Sequence, residues 1–278
     1  MTYPDGGLIP QPYHHMMLAN ASRMAAFRHG IAAVVRPGDV VVEAGAGTGV
    51  LSALAAQAGA KQVYALELSP DLAAVARRTM DLNGLAGAVS VVQGPAQAFV
   101  PPEPVDVVIC EMLHVGLVNE QQVPVVRALR ANLPHPERVR WLPYAAVSAV
   151  QAMEIDYRYE GLEIPLIRSS NPHIEDPRLQ AAGDPVTYWV CEMHDPEPRV
   201  ETVVALPITR PARVNAVQII TKAVMTPNFD HPANDWYLFQ LQLPMPARDV
   251  AAGDTLLLRI AYDAGAALPD VAVAWEAG

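Results

Sequence analysis

The stretch Val40-Val-Val-Glu43-Ala-Gly45-Ala-Gly47-Thr-Gly49-Val50 governs the reading of the whole chain. A run of valines suits a buried strand, and glycines at alternate positions straight after it suit a turn that needs φ > 0 and leaves room for a ligand against the backbone. The alanine-rich segment Val50–Ala58 then reads as a helix, whose positive end faces that turn. A dinucleotide fingerprint, G-x-G-x-x-G, is one candidate for this pattern. It fails at its third glycine, where Val50 stands. A solvated helix-capping loop is the plain alternative.

The same alternation continues downstream. Strands are expected at Gln62–Glu67, Val89–Gln93 and Val105–Cys110, and helices at Pro70–Asn83, briefly near Ala96, and at Asn119–Asn132. Ser69 reads as an N-cap with Pro70 at the first helical position and Asp71 in the first turn, and Asn83-Gly84 reads as the stop. Strands alternating with helices predict a parallel sheet with crossover helices. After Trp141-Leu-Pro143 the pattern becomes period-two runs between proline and glycine turns: Tyr144–Met153, Val186–Cys191, Thr202–Leu206, Val214–Met225, Asp235–Leu243, Thr255–Tyr262 and Val271–Trp275. The expected fold is therefore α/β, a Rossmann-like domain at 14–143 after an extension at 1–13, followed by an antiparallel β-barrel domain at 144–278.

Composition narrows the function. With 278 residues and 51% apolar residues the chain can bury a sizeable core. Nineteen Lys plus Arg against 29 Asp plus Glu leave a net charge of −10, with no basic run longer than Arg77-Arg78, which argues against a nucleic-acid partner. An acidic balance suits a cationic substrate without requiring one. Cys110 and Cys191 stand alone without metal-ligand or disulfide spacing, so no metal is expected and the cytoplasm is the expected compartment. The first residues lack a secretory pattern, and Asp39, Glu43 and Gln57 interrupt the apolar stretch near 40–60, so no membrane span is expected.

Two acids mark the chemistry. Glu67 ends the second strand twenty positions after Gly47, where a carboxylate can accept both hydroxyls of a ribose. Glycines and acid at this spacing point to a nucleoside and name no reaction. The fourth strand ends in Cys110-Glu111-Met-Leu-His114-Val-Gly116-Leu-Val-Asn-Glu120. Two carboxylates in one partly desolvated pocket repel unless a cation lies between them, and a planar guanidinium satisfies both. One exposed loop Glu and one Glu at a helix start is the competing view. Ser52 and Ser69 have no His/Asp partners for nucleophilic catalysis, and the remaining histidines read as surface residues.

Glu43-Ala-Gly45-Ala-Gly47-Thr-Gly49 resembles the first motif of class I S-adenosylmethionine (SAM) methyltransferases, and the spacing Glu111 to Glu120 resembles the double-glutamate loop of the protein arginine methyltransferases. His14-His-Met-Met17-Leu-Ala-Asn20-Ala-Ser-Arg23 is similar to that family's segment before the cofactor fold. The resemblance implies a SAM-dependent N-methyltransferase, with S-adenosyl-L-homocysteine as product. It implies that Arg23 meets the SAM carboxylate and that Met17, Glu43, Gly45, Ala46, Gly47 and Gly49 surround the methionine end. Glu67 with Leu68 would hold the ribose, and Gln97 the adenine. Glu111 and Glu120 would be catalytic, while His114, Asp235 and Trp236 would border the substrate.

That substrate would be a guanidino- or amine-bearing protein, peptide or small molecule, and the family's assembly suggests a homodimer. Several positions depart from the family. His114 replaces a glycine, Gln97 a glutamate and Asn20 an aspartate, and Asn234-Asp235-Trp236 replaces Thr-His-Trp, which leaves an Asn20–Asp235 hydrogen bond as the expected clamp. The helical dimerisation arm is expected to be reduced, with Glu160–Gln180 as its remnant. A methyltransferase for another small amine or hydroxyl, and a catalytically silent SAM-binding assembly protein, are the other readings.

Overall fold

The computed structural model describes residues 9–234 and 236–276. Two helices come first, α1 (Gln11–Ala19) and α2 (Ala21–Val34). Asn20 separates them and caps α2, its side-chain oxygen accepting from Arg23 N. The α/β part follows as β1 (Val40–Ala44), α3 (Val50–Gln57), β2 (Gln62–Glu67), α4 (Pro70–Leu82), β3 (Val89–Gln93), β4 (Val107–Cys110), α5 (Gln122–Asn132) and β5 (Arg140–Leu142).

These strands form one parallel sheet in the order β3-β2-β1-β4-β5. The chain begins in the middle, runs outward to β3, and returns to the other side of β1. Connections on the two sides of the β1/β4 boundary diverge and leave a crevice beyond the carboxyl ends of these strands. β1 is buried along its whole length, as a strand covered on both faces should be. The sequence reading lacks β5, because three residues headed by an arginine carry no strand pattern. Pairing with β4 and an ion pair from Arg140 to Asp39 at 2.7 Å hold it in place.

The second half is antiparallel: β6 (Ala145–Ile155), β7 (Arg158–Tyr159), β8 (Leu162–Glu163), β9 (Arg168–Ser170), β10 (Leu179–Ala181), β11 (Val186–Glu192), β12 (Arg199–Pro207), β13 (Ala212–Val224), β14 (Trp236–Tyr237), β15 (Gln240–Val250), β16 (Thr255–Asp263) and β17 (Ala272–Trp275). Its ladders trace a seven-stranded sheet, a three-stranded sheet of β12, β16 and β17, and the β7/β8 hairpin. They do not trace the continuous closed ladder that a barrel implies. The expected strand Asp235–Leu243 is split between β14 and β15. Between 160 and 180 the described backbone contains short strands and no helix, in keeping with Pro165, Pro172 and Pro177, which cannot sustain one.

Helix α2 is wedged between the halves. Phe27 meets Trp236 edge-on at 5.5 Å, and Gly30 lies so close to Leu142 and Met225 that an added Cβ would sit 3.0 Å from each. Among the described residues no helix is long and apolar enough to cross a membrane.

Candidate active site

β1 and β4 are paired neighbours, with Ala44 opposite Cys110, so the glycine turn after β1 and the acidic loop after β4 leave the sheet side by side. Gly45, Gly47 and Gly49 all have positive φ, as the spacing predicted. Gly45 N and Ala46 N both donate to Leu66 O at 2.9 Å, which ties the turn to β2. Gly47 is the tightest point. A Cβ there would sit 2.8 Å from the His14 ring, so the imidazole of α1 lies directly on this glycine. Met112 covers Gly45 in the same manner, its sulfur 3.3 Å from where a Cβ would stand.

Glu67 is buried, and its two oxygens accept from Gly47 N at 2.7 Å and Ser69 N at 2.8 Å. It therefore braces the glycine loop against the start of α4, with lone pairs left for further donors. Glu43 is buried on β1 and accepts from Ser52 Oγ on α3. Burial pushes its carboxyl up to about 8, against the opposing effect of the Ser52 hydrogen bonds. Leu68 and Gln97 are exposed, and Gly94 beside them faces open space. Asn132 Nδ2 holds the Gln97 backbone through its carbonyl oxygen at 3.0 Å.

The acidic loop and α2 meet at Arg23. This arginine is 7% exposed, and its Nη2 donates to Glu111 Oε2 across 88 positions of sequence. Its guanidinium lies 5.2 Å from the Phe27 ring centre. Glu120 is largely buried, and its carboxyl is pushed up to about 8, first by desolvation and then by the Glu111 charge, with Arg23 opposing. The Glu111 charge thus acts on Glu120 across the loop. His114 is half-buried with a lowered pKa caused by burial, and its Nδ1 lies 3.2 Å from Val115 O. Burial also raises the Cys110 thiol far above its usual range, which makes it a poor nucleophile.

One boundary near the site moves, and the structure places the other expected positions as follows. The helix expected from Asn119 begins at Gln122, so Glu120 stands in the loop, because Asn119 has a left-handed φ of 62°. Asn20 is engaged as the cap of α2, and Asp235, its expected partner, lies outside the described residues. Trp236 is 6% exposed against Phe27 and joins the two halves. Met17 is half-buried at the last turn of α1.

Two contributors escaped the sequence reading. His14 was quoted within a motif but given no role. Gln122 is fully buried; its Oε1 accepts from Met112 N at 2.8 Å and its Nε2 donates to Cys110 O at 2.8 Å, closing the base of the acidic loop. No local pattern announces a glutamine of that kind.

Two polar atoms next to the glycine turn are buried without a partner, Arg23 Nε and His14 Nε2. Arg23 Nε is an unsatisfied donor of the kind a bound carboxylate would engage, whereas the His14 ring, kept neutral by burial and donating to the Ile9 backbone, leaves Nε2 as an acceptor for an ammonium group. A glycine turn with no room for side chains, an unsatisfied donor, an unsatisfied acceptor and an acid at the end of β2 fit an amino-acid-bearing nucleoside such as SAM.

This sheet order, with its glycine turn at the switch point, is the architecture of a class I SAM-dependent methyltransferase. Residues 41–134 match the family model described as a methyltransferase domain. The chain is similar to arginine methyltransferases in sequence and to their solved structures in fold. It is 27% identical to the arginine N(omega)-methyltransferase of Streptomyces achromogenes, over 90% of this chain and 76% of that protein. It is 26% identical to an uncharacterized protein of Methanocaldococcus jannaschii over 95% of this chain and 96% of the other. Protein arginine N-methyltransferase 2 of Dictyostelium discoideum is 36% identical over 52% of this chain and 28% of its own length. Among solved structures, the Trypanosoma brucei PRMT1 enzyme–prozyme complex with AdoHcy matches with a TM-score of 0.74 at 18% identity, covering 96% of this chain and 97% of that one.

Proposed function

We propose that the chain transfers a methyl group from SAM to a guanidino nitrogen of arginine, with Glu111 and Glu120 as the groups that grip the guanidinium. One observation carries this reading: both acids stand on the loop that leaves β4, where desolvation and the Glu111 charge raise the cost of ionising Glu120 unless a cation is bound. A guanidinium supplies that cation in flat form, with N–H donors for both carboxyls. SAM supplies an already activated methyl group on a sulfonium centre.

The chain's own work is then orientation and electrostatics. Arg23 Nε would hold the carboxylate of the cofactor's methionine end and His14 Nε2 would accept from its ammonium group, with Glu67 at the ribose and Gln97 with its neighbouring backbone at the adenine. Glu111, tied to Arg23, would be aligned by the same arginine that reads the cofactor. Glu120 would give up its proton when the cationic substrate arrives, and two carboxylates would draw the positive charge towards the nitrogens they touch. That leaves the remaining nitrogen with more lone-pair character for attack. The acceptor's own proton leaves to Glu120 or water.

In this reading 14–143 forms the cofactor half and 144–278 the substrate half, and a homodimer is its assembly. Cys110 and Cys191 are both buried free thiols, which supports the cytoplasm as the compartment. Free arginine is the first substrate to test, because the arginine N(omega)-methyltransferase aligns over 90% of this chain. The experiment is incubation with radiolabelled SAM and arginine, arginine-containing peptides, other amines and a cell extract. Label on arginine or on arginine residues supports the proposal. Label on another amine or hydroxyl overturns the substrate, and label nowhere, with SAM still bound, favours a silent assembly protein.

A further inference from the structure

The loop from Glu111 to Gln121 passes through three left-handed residues, Gly116 (φ 68°), Leu117 (φ 55°) and Asn119 (φ 62°), just before Glu120. Two of them carry side chains, and such residues hold that conformation only where surrounding contacts impose it. The antiparallel half supplies contacts to all three. Gly116 N donates to Thr221 Oγ1 on β13 at 2.8 Å, and that hydroxyl lies 3.0 Å from Ser148 Oγ on β6. Gly265 N donates to Leu117 O at 2.8 Å. Asn119 is held twice: its N–H donates to Ala266 O at 2.7 Å, and its Oδ1 accepts from Leu268 N at 3.0 Å.

We infer that Asn119 is a positioning residue, which ties the peptide of the second glutamate to the turn Gly265–Leu268 after β16 and so fixes where the Glu120 carboxyl stands. Asparagine suits the task, since it tolerates the left-handed region and offers a short acceptor. The half that would receive the substrate thereby also aims one of the two acids. This inference rests on the guanidino reading of Glu111 and Glu120.

The bond between Asn119 Oδ1 and Leu268 N can be cut from either end. Asn119→Gly keeps the backbone conformation and removes the acceptor. Leu268→Pro removes the donor, and Ala267 (φ −68°, ψ 151°) already has the conformation that a residue before proline adopts. With arginine as acceptor, each variant should lower kcat at least tenfold while the Kd for S-adenosylhomocysteine stays within about twofold, and the double variant should be no slower than the slower single one. The carbon-13 titration of the Glu120 carboxyl, assigned by its loss in Glu120→Gln, should shift to lower pH in both single variants as the carboxyl gains access to water. Unchanged kcat, a parallel loss of S-adenosylhomocysteine affinity, or multiplicative single effects would overturn the inference. Should the wild-type chain transfer no methyl group to any arginine substrate, the guanidino reading falls, and the Glu120 titration alone then decides whether Asn119 positions the acid.

Discussion

Replacing each of the two loop acids, Glu111 and Glu120, by glutamine should change stability in opposite directions. Glu111 is paired with Arg23, the two side chains being 10% and 8% exposed. Glutamine keeps one acceptor for Arg23 but removes the charge, so Glu111→Gln should destabilise the free protein by about 1.5–3 kcal/mol, less than the 3–5 kcal/mol of a fully broken buried pair. Glu120 is different, because its carboxyl titrates near 8 in the folded chain against an ordinary value of 4.5. Its folded pKa is raised, so its contribution to stability is fully present below 4.5 and is lost as pH rises through about 8, at up to about 1.4 kcal/mol per pH unit. Glutamine does not titrate. Glu120→Gln should therefore match the wild type near pH 4.5 and be more stable by about 3 kcal/mol at pH 7. In a chain of this size that is a rise in Tm of roughly 6–12 °C, where Glu111→Gln should show a fall of roughly 3–12 °C. The assay is differential scanning calorimetry from pH 5 to 9 without cofactor. Glu43 titrates in the same window but is common to both proteins and cancels in the difference. If Glu120→Gln is destabilised as much as Glu111→Gln, or if its advantage does not grow with pH, the desolvated field at Glu120 is wrong.

The same field makes substrate binding release protons: at pH 7 Glu120 is about nine-tenths protonated, so calorimetric titration with arginine in buffers of different ionisation enthalpy should show release approaching one proton per site. A buffer-independent enthalpy would contradict this. Gly47→Ala should weaken S-adenosylhomocysteine binding roughly tenfold, because an alanine at φ 55° is strained by about 1–2 kcal/mol and its Cβ meets the His14 ring. His14→Ala in that background should recover part of the folding stability that the clash costs, whereas additive stability losses in a double-mutant cycle would place the ring elsewhere. Gln122→Leu leaves Met112 N and Cys110 O unpaired, which should cost about 2–4 kcal/mol in urea denaturation and slow turnover as the loop base opens. An unchanged denaturation midpoint would show that the loop does not depend on it.

Much of the α/β half is legible in its residues. β1, β2 and β3 and the helices α3 and α4 lie within a residue or so of where valine runs, alanine periodicity, Ser69-Pro70 and the glycines put them. Glycine at 45, 47 and 49 specifies a left-handed turn wherever the chain is placed. The spacing of Glu111 and Glu120 likewise specifies a pair of acids on one loop, since few residues separate them.

Other features depended on segments distant in sequence. The start of α5 moved to Gln122 because contacts to Ala266 and Leu268, almost 150 positions away, keep Asn119 out of the helix. β5 exists because β4 offers an edge and Asp39 a partner for Arg140. Nothing in the neighbourhood of Arg23 names an acid as its partner, and only packing α2 against the sheet brings it to Glu111. The division has a physical basis. Backbone conformation and amphipathic period arise from steric and hydrophobic preferences within a few residues, and these are written locally. The partner of a buried charge, the field that shifts a carboxyl and the contact that holds an unfavourable φ depend on which distant atoms exclude water from that group, and the folded chain settles that.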